Sequence, residues 1–230
     1  MERHIQIVLN RLSCISIVIA SLTLLFLLLQ TPETCVTPGA AHKPHLRFPK
    51  SSCDSSHREH VPIEKKNKRL WSTKIWQKSV SSYYQFFQAI QDLGLLNNHS
   101  KVLCVSAGAG HEVMALSEMG LLDVTGIELV DSPPLVSRAD PHNLPFFDDA
   151  FDLAFSGHLA EALFPSRFAS EMERTVRPGG VCLLVVEECG DDEVREIVGL
   201  FSKSRFINSK NVTLIGLKMT RIIMRTRKSP

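Results

Sequence analysis

The chain has 230 residues, of which 44% are apolar and 22% are charged, with 26 basic and 24 acidic side chains. This length predicts one domain with attached segments, and the apolar fraction is sufficient for a hydrophobic core. A net charge of +2 excludes a bulk electrostatic attraction to nucleic acid. The six cysteines and nine histidines show no Cys-x-x-Cys or Cys/His spacing, so we expect no metal site.

The chain begins with an apolar stretch. Residues 12–32 contain no charged side chain, and residues 12–29 are apolar apart from four Ser and Thr. Because a helix of this length spans about 27 Å, the pattern predicts a transmembrane helix within an N-terminal segment of residues 1–30. A cleaved signal peptide is the alternative. Arg11 and the α-amino group favour a cytosolic N-terminus, so we expect a single-pass protein of the Golgi or endoplasmic reticulum with a lumenal main domain.

A polar segment follows the apolar stretch. Residues 31–70 are rich in Pro, Ser, His and Lys and lack an apolar period, which is typical of a linker. The segment is basic, because residues 31–80 hold ten Lys and Arg against four Asp and Glu, a balance of +6. Apolar residues then recur at helical spacing from Trp71 to Leu93, which predicts an amphipathic helical extension over residues 71–99.

From residue 100 onwards, apolar runs alternate with helix-like segments. The runs are 101–105, 123–130, 135–138, 151–156, 181–187, 212–217 and 219–225, and the helix-like segments are 111–120, 158–176 and 191–203. The alternation predicts an α/β domain over residues 100–226 with a Rossmann-like, doubly wound, mostly parallel sheet. The last two runs predict an antiparallel terminal hairpin. Only eleven residues separate Glu128 from Asp140, so we expect the second crossover helix to be reduced or lost.

The stretch Lys101–Val113 has the outline of a nucleotide-binding half: a strand, a small-residue loop and a helix, followed by a second run that contains Glu128. Gly108 and Gly110 lack a Cβ, so the backbone there can approach a ligand closely. A carboxylate at a strand tip can accept hydrogen bonds from both hydroxyls of a ribose. A nicotinamide-dependent oxidoreductase fits this half of the pattern equally well.

Further motifs follow the glycine loop in a specific order. They are an acid at position 140, Leu-Pro-Phe at 144–146, Phe-Asp-Leu-Ala-Phe-Ser at 151–156 and Arg-Pro-Gly-Gly at 177–180. Together with Glu128, this order resembles the class I S-adenosylmethionine-dependent methyltransferases, particularly the type 11 branch. The resemblance covers about residues 100–226. It implies S-adenosylmethionine as the cofactor and methyl transfer as the reaction.

The resemblance also implies individual roles. The candidate cofactor-binding residues are Ser106, Gly108, Gly110, Glu128, Asp140, Leu144, Phe155 and Ser156. Gly108 and Gly110 would bend the loop around the methionine end of the cofactor, and Glu128 would hold the ribose. Asp140 and Leu144 would contact the adenine. Phe155 and Ser156 would face the methyl-bearing part, and His158 just beyond them is the candidate catalytic base.

The loop departs from the family pattern at two positions. Cys104 stands where the family has an acid, and Ser106 stands where the loop has its first glycine. Losing the acid predicts cofactor binding that is weaker by about 1–2 kcal/mol. The second functional hypothesis is therefore a catalytically inactive homologue that acts as a membrane-tethered binding partner. An active enzyme would methylate a small-molecule, lipid or sugar acceptor; neither the acceptor nor the oligomeric state is predicted.

Overall fold

The computed structural model describes residues 2–30 and 62–227, and the chain divides into two compact units. The first unit, Met1–Ile63, contains helix α1 (Glu2–Gln30), whose side chains at 11–27 are all exposed. Within the described ranges, no helix has both the length and the apolarity needed to cross a membrane, for which about 20 apolar residues are typical. The predicted transmembrane helix at 12–29 is therefore not supported.

The remaining elements follow in chain order. They are α2 (Ile63–Trp71), α3 (Lys74–Asp92), β1 (Val102–Val105), α4 (His111–Glu118), β2 (Val124–Glu128), β3 (Val136–Arg138), β4 (Phe151–Ser156), a 3-10 turn (Leu159–Glu161), α5 (Pro165–Thr175), β5 (Val176–Glu187), α6 (Asp191–Gly199), β6 (Ser204–Leu214) and β7 (Leu217–Thr226). The start of α3 is fixed by a cap, because the Thr73 hydroxyl accepts the backbone N–H of Trp76 at 3.3 Å.

The seven strands form one sheet in the order β3-β2-β1-β4-β5-β7-β6. The first five strands in this order are parallel, whereas β7 runs antiparallel between β5 and β6. The strand order reverses direction along the sheet at β1, whose neighbours are β2 and β4. In such sheets ligands bind outside the carboxyl ends of the strands, at the point of reversal. The predicted mostly parallel sheet with its antiparallel terminal hairpin is confirmed.

Helices cover both faces of the sheet, and alternating side chains of β5 show why. Val181, Leu183 and Val185 lie in one core cluster with α3 and α4. Cys182, Leu184 and Val186 lie in a second cluster with α5 and α6. Successive side chains of a strand point to opposite faces, so an uninterrupted apolar run supplies both cores. This arrangement holds the carboxyl edge of the sheet rigidly between two packed layers.

The structure differs from the predicted elements at several places. Helix α2 (Ile63–Trp71) overlaps the predicted linker 31–70, and β5 begins at Val176 rather than at residue 181. The predicted helix 158–176 is interrupted, because Pro165 favours the first helical turn and α5 begins there. The helix predicted over 191–203 ends at Gly199, and β6 begins at Ser204, earlier than the predicted run at 212. The segment 129–135 between β2 and β3 contains no helix, as its length required.

Candidate functional site

Three predicted site residues lie side by side at the carboxyl edge of the sheet. In the parallel register, Val105 of β1 pairs with Ile127 of β2, and Cys104 pairs with Phe155 of β4. Ser106, Glu128 and Ser156 therefore end neighbouring strands, which lie about 4.8 Å apart in a sheet. The carboxyl edge thus presents a carboxylate, the small-residue loop and a buried hydroxyl in one row.

The loop after β1 turns sharply through left-handed backbone conformations. Ser106, Gly108 and Gly110 have φ angles of 57°, 51° and 94°. Such conformations cost roughly 1–2 kcal/mol for a residue with a Cβ. The backbone of Ser106 is therefore strained, whereas a glycine at this position would not be. The Gly110 carbonyl then accepts the N–H of Met114 at 3.0 Å, which starts α4.

Gly108 and Gly110 serve different purposes. A Cβ on Gly110 would lie 2.8 Å from Leu135 Cβ, because the 129–135 segment packs directly against the loop. A Cβ on Gly108 would meet nothing within 4 Å. Gly110 therefore permits close packing inside the protein, whereas Gly108 leaves open space above the loop, where a ligand would approach.

Glu128 is held by backbone amides at the end of β2. Its Oε2 accepts the N–H of Gly108 at 3.2 Å, and its Oε1 accepts the N–H of Leu129 at 2.7 Å. A carboxylate has about four acceptor positions, so each oxygen keeps a lone pair for hydroxyl donors. The structure thus places Glu128 at the end of β2, beside the glycine loop.

Asp140 and Leu144 lie on the segment that follows β3. The exposed carboxylate of Asp140 accepts the N–H of His142 at 2.8 Å, and the His142 ring nitrogen lies 3.1 Å from the same oxygen. The His142 N–H is the main reason why the pKa of Asp140 is lowered. Leu144 is buried in the second core cluster. Its backbone N–H donates a hydrogen bond to Oε2 of Glu171 at 2.8 Å.

Phe155 and Ser156 end β4, but their side chains have different surroundings. The Phe155 ring is fully buried against α3, with its centroid 5.0 Å from that of Phe87 and 6.1 Å from that of Tyr83. Phe155 therefore contributes to the core beneath the loop. The buried Ser156 hydroxyl accepts the N–H of His158 at 3.1 Å and fixes the backbone beyond the strand.

His158, the candidate base, lies between β4 and the 3-10 turn. Its Nδ1 is 3.1 Å from Oε1 of Glu161, and its side chain is 39% exposed. When Nδ1 donates to Glu161, Nε2 is the proton acceptor of the neutral ring. The partly exposed ring can therefore accept a proton from a bound molecule. It lies just after β4, the strand that neighbours β1 and its glycine loop.

Two buried polar side chains near the loop were not predicted from the sequence. Glu112, in the first turn of α4, is 3% exposed, and Tyr83 of α3 is 6% exposed. Burial, with a smaller contribution from Glu128, raises the pKa of Glu112 to about 8, and burial raises the pKa of Tyr83. A signal existed in the sequence, since Glu112 lies on the same helical face as the apolar Ala115 and Leu116.

A separate cavity of about 400 Å³ is lined by residues of α3 and α4 and by Trp71 of α2. It is lined by Trp71, Trp76, Gln77, Val80, Ser81, Tyr84, Met114 and Glu118. None of the predicted site residues lines this cavity. The cavity is therefore distinct from the row of residues at the carboxyl edge.

Comparisons with known proteins agree with this arrangement. Residues 103–184 match the family model of a methyltransferase domain. A methyltransferase from Aquifex aeolicus that depends on S-adenosylmethionine is 18% identical, with 72% of this chain and 99% of that chain covered and a TM-score of 0.52. No curated protein sequence is significantly similar to the chain.

Two further solved structures share the fold. The Burkholderia thailandensis 1,6-didemethyltoxoflavin-N1-methyltransferase, solved with S-adenosylhomocysteine, is 17% identical over 72% of this chain and 84% of that chain, with a TM-score of 0.51. The cyclase SpnF is 14% identical over 64% and 81%, with a TM-score of 0.53. Because a cyclase shares the fold, the fold alone does not determine the reaction.

The residues at the carboxyl edge fit S-adenosylmethionine, and the matched domain supports it as the cofactor. Gly108 leaves open space above the loop, and Glu128 offers free acceptor positions beside it. Glu112 is a buried carboxyl group that takes part in none of the ion pairs of residues 62–227. A ligand with hydroxyl groups at one end and positive charge at the other would satisfy both carboxyl groups.

Proposed function

We propose that this chain, which carries a methyltransferase domain of class I fold, transfers the methyl group of S-adenosylmethionine to an acceptor molecule. The observation that carries the proposal is the link between Gly108 and Glu128 at the carboxyl edge of a 3-2-1-4-5-7-6 sheet. This link puts a ligand-accessible glycine loop next to a carboxylate with free lone pairs. The match of residues 103–184 to a methyltransferase domain supports the same function.

The protein's contribution to such a reaction is mainly alignment. When bound, S-adenosylmethionine supplies an electrophilic methyl group on a positively charged sulfur. Glu128 would bind the ribose hydroxyls, and Gly108 would let the backbone approach the cofactor. Holding donor and acceptor in line removes much of the entropic barrier, so no fixed set of catalytic side chains is required.

A base is needed only when the acceptor must lose a proton, and His158 would supply it. Glu161 orients the ring through Nδ1 at 3.1 Å, which leaves Nε2 to accept the proton. The variant His158→Asn keeps a polar side chain at this position and removes the basic nitrogen. If His158 is the base, kcat falls at least tenfold in this variant and cofactor binding changes less than twofold.

The surface beyond His158 favours an acceptor with an apolar part. Leu163 and Phe164 directly follow the 3-10 turn and are 77% and 58% exposed. Residues 101–230 carry fourteen basic against eighteen acidic side chains, a balance of −4, which disfavours a polyanionic acceptor. We therefore expect a small molecule, a lipid or a sugar with an apolar group rather than a nucleic acid.

Calorimetric titration of the full chain with S-adenosylmethionine tests the cofactor site. We expect micromolar binding that Glu128→Ala weakens at least tenfold, or about 1.4 kcal/mol. Glu196→Ala removes an exposed carboxylate on α6 and serves as the matched control, with unchanged affinity expected. Absence of binding by folded wild-type protein would overturn the proposal.

A transfer assay separates an enzyme from an inactive homologue. The full chain is incubated with methyl-labelled S-adenosylmethionine and with separate small-molecule, lipid and sugar fractions, and incorporated label is counted. An enzyme labels a fraction, and its Glu128→Ala variant labels it at least tenfold more slowly. Binding without transfer to any of the fractions would instead favour the inactive homologue.

A further inference from the structure

Glu112 is a carboxyl group inside the protein, on the side of α4 that faces the core. Its side chain is 3% exposed, and the Ala115 and Leu116 side chains on the same helical face are fully buried. An apolar residue would fill this position without the cost of burying a carboxyl group, which amounts to several kcal/mol when the group is charged. A glutamate at this position is therefore expected to have a partner that binds its carboxyl group.

Within residues 62–227, no cationic side chain pairs with Glu112. The groups that face it are the Tyr83 phenol from α3, the Cys104 thiol from β1 and the Glu128 carboxylate from β2. All three are acids, and the backbone N–H of Glu112 is its remaining polar contact. The adjacent His111 ring packs on Trp76, with the ring centroids 4.1 Å apart, and burial lowers its pKa.

The neighbouring carboxylates are already engaged by backbone amides. Glu128 accepts the N–H groups of Gly108 and Leu129, and Asp140 accepts the N–H of His142. Cys104 is fully buried, and burial raises the pKa of its thiol, so it stays neutral. Of the three carboxyl groups of Glu112, Glu128 and Asp140, that of Glu112 is the one without a hydrogen bond from another residue.

We propose that Glu112 binds the positively charged methionine end of S-adenosylmethionine and releases its proton to solvent as the cofactor enters. The proposal rests on the proposed function, since it assigns a residue to the cofactor of that site. In this role, the Glu112 carboxylate on α4 replaces the acid that the family has at position 104. The Glu112 pKa of about 8 supports it, because such a group is about nine-tenths protonated at pH 7 and changes charge when a cation binds.

The test measures proton release and affinity together. The full chain is titrated calorimetrically at pH 7 in phosphate and in Tris, whose ionisation enthalpies differ, so the difference in heat counts the protons released. Three ligands separate the parts of the cofactor. S-adenosylmethionine carries both positive charges, the sulfonium and the ammonium group. S-adenosylhomocysteine keeps only the ammonium group as a positive charge, and methylthioadenosine lacks the amino-acid end.

Glu112→Gln is the matched variant, because an amide resembles the neutral carboxyl group in shape and adds no charge. We expect wild-type protein to release more than roughly half a proton per S-adenosylmethionine bound, since a small uptake by the ligand's amino group offsets part of the release. In Glu112→Gln this release disappears. Its affinity for S-adenosylmethionine and S-adenosylhomocysteine falls at least tenfold, while its affinity for methylthioadenosine changes less than twofold.

The outcomes distinguish this inference from the proposed function. Tight binding that Glu128→Ala weakens, with unchanged affinity and proton release in Glu112→Gln, overturns the role of Glu112 and leaves the function in place. No binding by wild-type protein overturns both. If Glu112→Gln fails to fold, the wild-type protein still decides. Proton release with methylthioadenosine equal to that with S-adenosylmethionine contradicts the proposal, and release with S-adenosylmethionine but not with methylthioadenosine supports it.

Discussion

The backbone N–H of Gly108 donates a hydrogen bond to Oε2 of Glu128 at 3.2 Å, which joins the loop after β1 to the end of β2. The side chain of Glu128 therefore both supports the loop and faces the space above it. Under the proposed function, loop geometry and ligand binding are coupled through this one carboxylate. Substitutions of Glu128 should therefore change both the stability of the loop and the affinity for the ligand. The size of each change depends on which hydrogen-bond acceptors the new side chain keeps.

Glu128→Gln tests this coupling. The amide keeps one oxygen for the Gly108 N–H and loses the negative charge and the second acceptor. We expect the free energy of unfolding to change by less than about 1 kcal/mol, while the affinity for S-adenosylmethionine falls roughly tenfold. Urea unfolding and calorimetry measure the two quantities. A loss of stability without a loss of affinity would show that Glu128 only supports the loop.

Gly110→Ala should destabilise the protein more than Gly120→Ala. The two glycines have nearly equal φ angles, 94° and 90°, so the backbone strain of an added Cβ is matched. Only at Gly110 does the Cβ meet neighbours, with Leu135 Cβ at 2.8 Å, whereas at Gly120 nothing lies within 4 Å. We expect an additional loss of about 1–3 kcal/mol for Gly110→Ala in urea unfolding. Equal losses would contradict the packing of 129–135 against the loop.

Glu112 should make stability depend on pH in the absence of ligand. Its pKa rises from 4.5 to about 8 on folding, so the folded state holds its proton more tightly than the unfolded state. Its contribution to stability is therefore full below pH 4.5 and is lost as the pH rises towards 8. Relative to Glu112→Gln, wild-type protein should lose up to roughly 1 kcal/mol per pH unit in this window. Parallel unfolding curves across the window would show that Glu112 is ionised in the fold.

Arg174 should stabilise the segment that carries Leu144. Its guanidinium donates to the carbonyl oxygens of Leu144 and Phe146 at 2.9 and 2.8 Å, and it pairs with Glu171 and Asp148. Arg174→Met leaves these partly buried carbonyl groups without a donor, so we expect a loss of about 2–3 kcal/mol. Arg195→Met on exposed α6 is the control, with a change within about 0.5 kcal/mol. Thermal unfolding that does not separate the two variants would contradict this role.

Strands β1 and β5 could be predicted from the sequence because residues 102–105 and 181–186 are continuous apolar runs. The run at 181–187 supplies alternate side chains to two cores, so a wrong register would still have left it apolar on both faces. The start of β6 could not be predicted, because most of its residues are exposed and polar and its position depends on pairing with β7. Local patterns do not encode pairing with a strand that follows later in the chain.

The candidate site could be predicted only in part. The positions of Gly108 and Glu128 could be predicted, because motifs encode backbone conformation and strand position. Phe155 was predicted to face the methyl-bearing part of the cofactor, but its ring is fully buried in the core. The sequence did not reveal this, because the contacts of the ring come from α3, about seventy residues earlier in the chain. Glu112 was missed because an acid in the first turn of a helix is usually solvated and favoured there by the helix dipole.

The position of β7 has a consequence for how the protein is made. This strand follows the other six in the described part of the chain, yet it lies inside the sheet, between β5 and β6. Until Leu217–Thr226 has been synthesised and has left the ribosome, β5 has an open edge and its apolar run lacks one neighbour. The nascent chain therefore exposes a strand edge that can pair with other chains. A chaperone that shields this edge during translation should raise the yield of native protein more than one added after release.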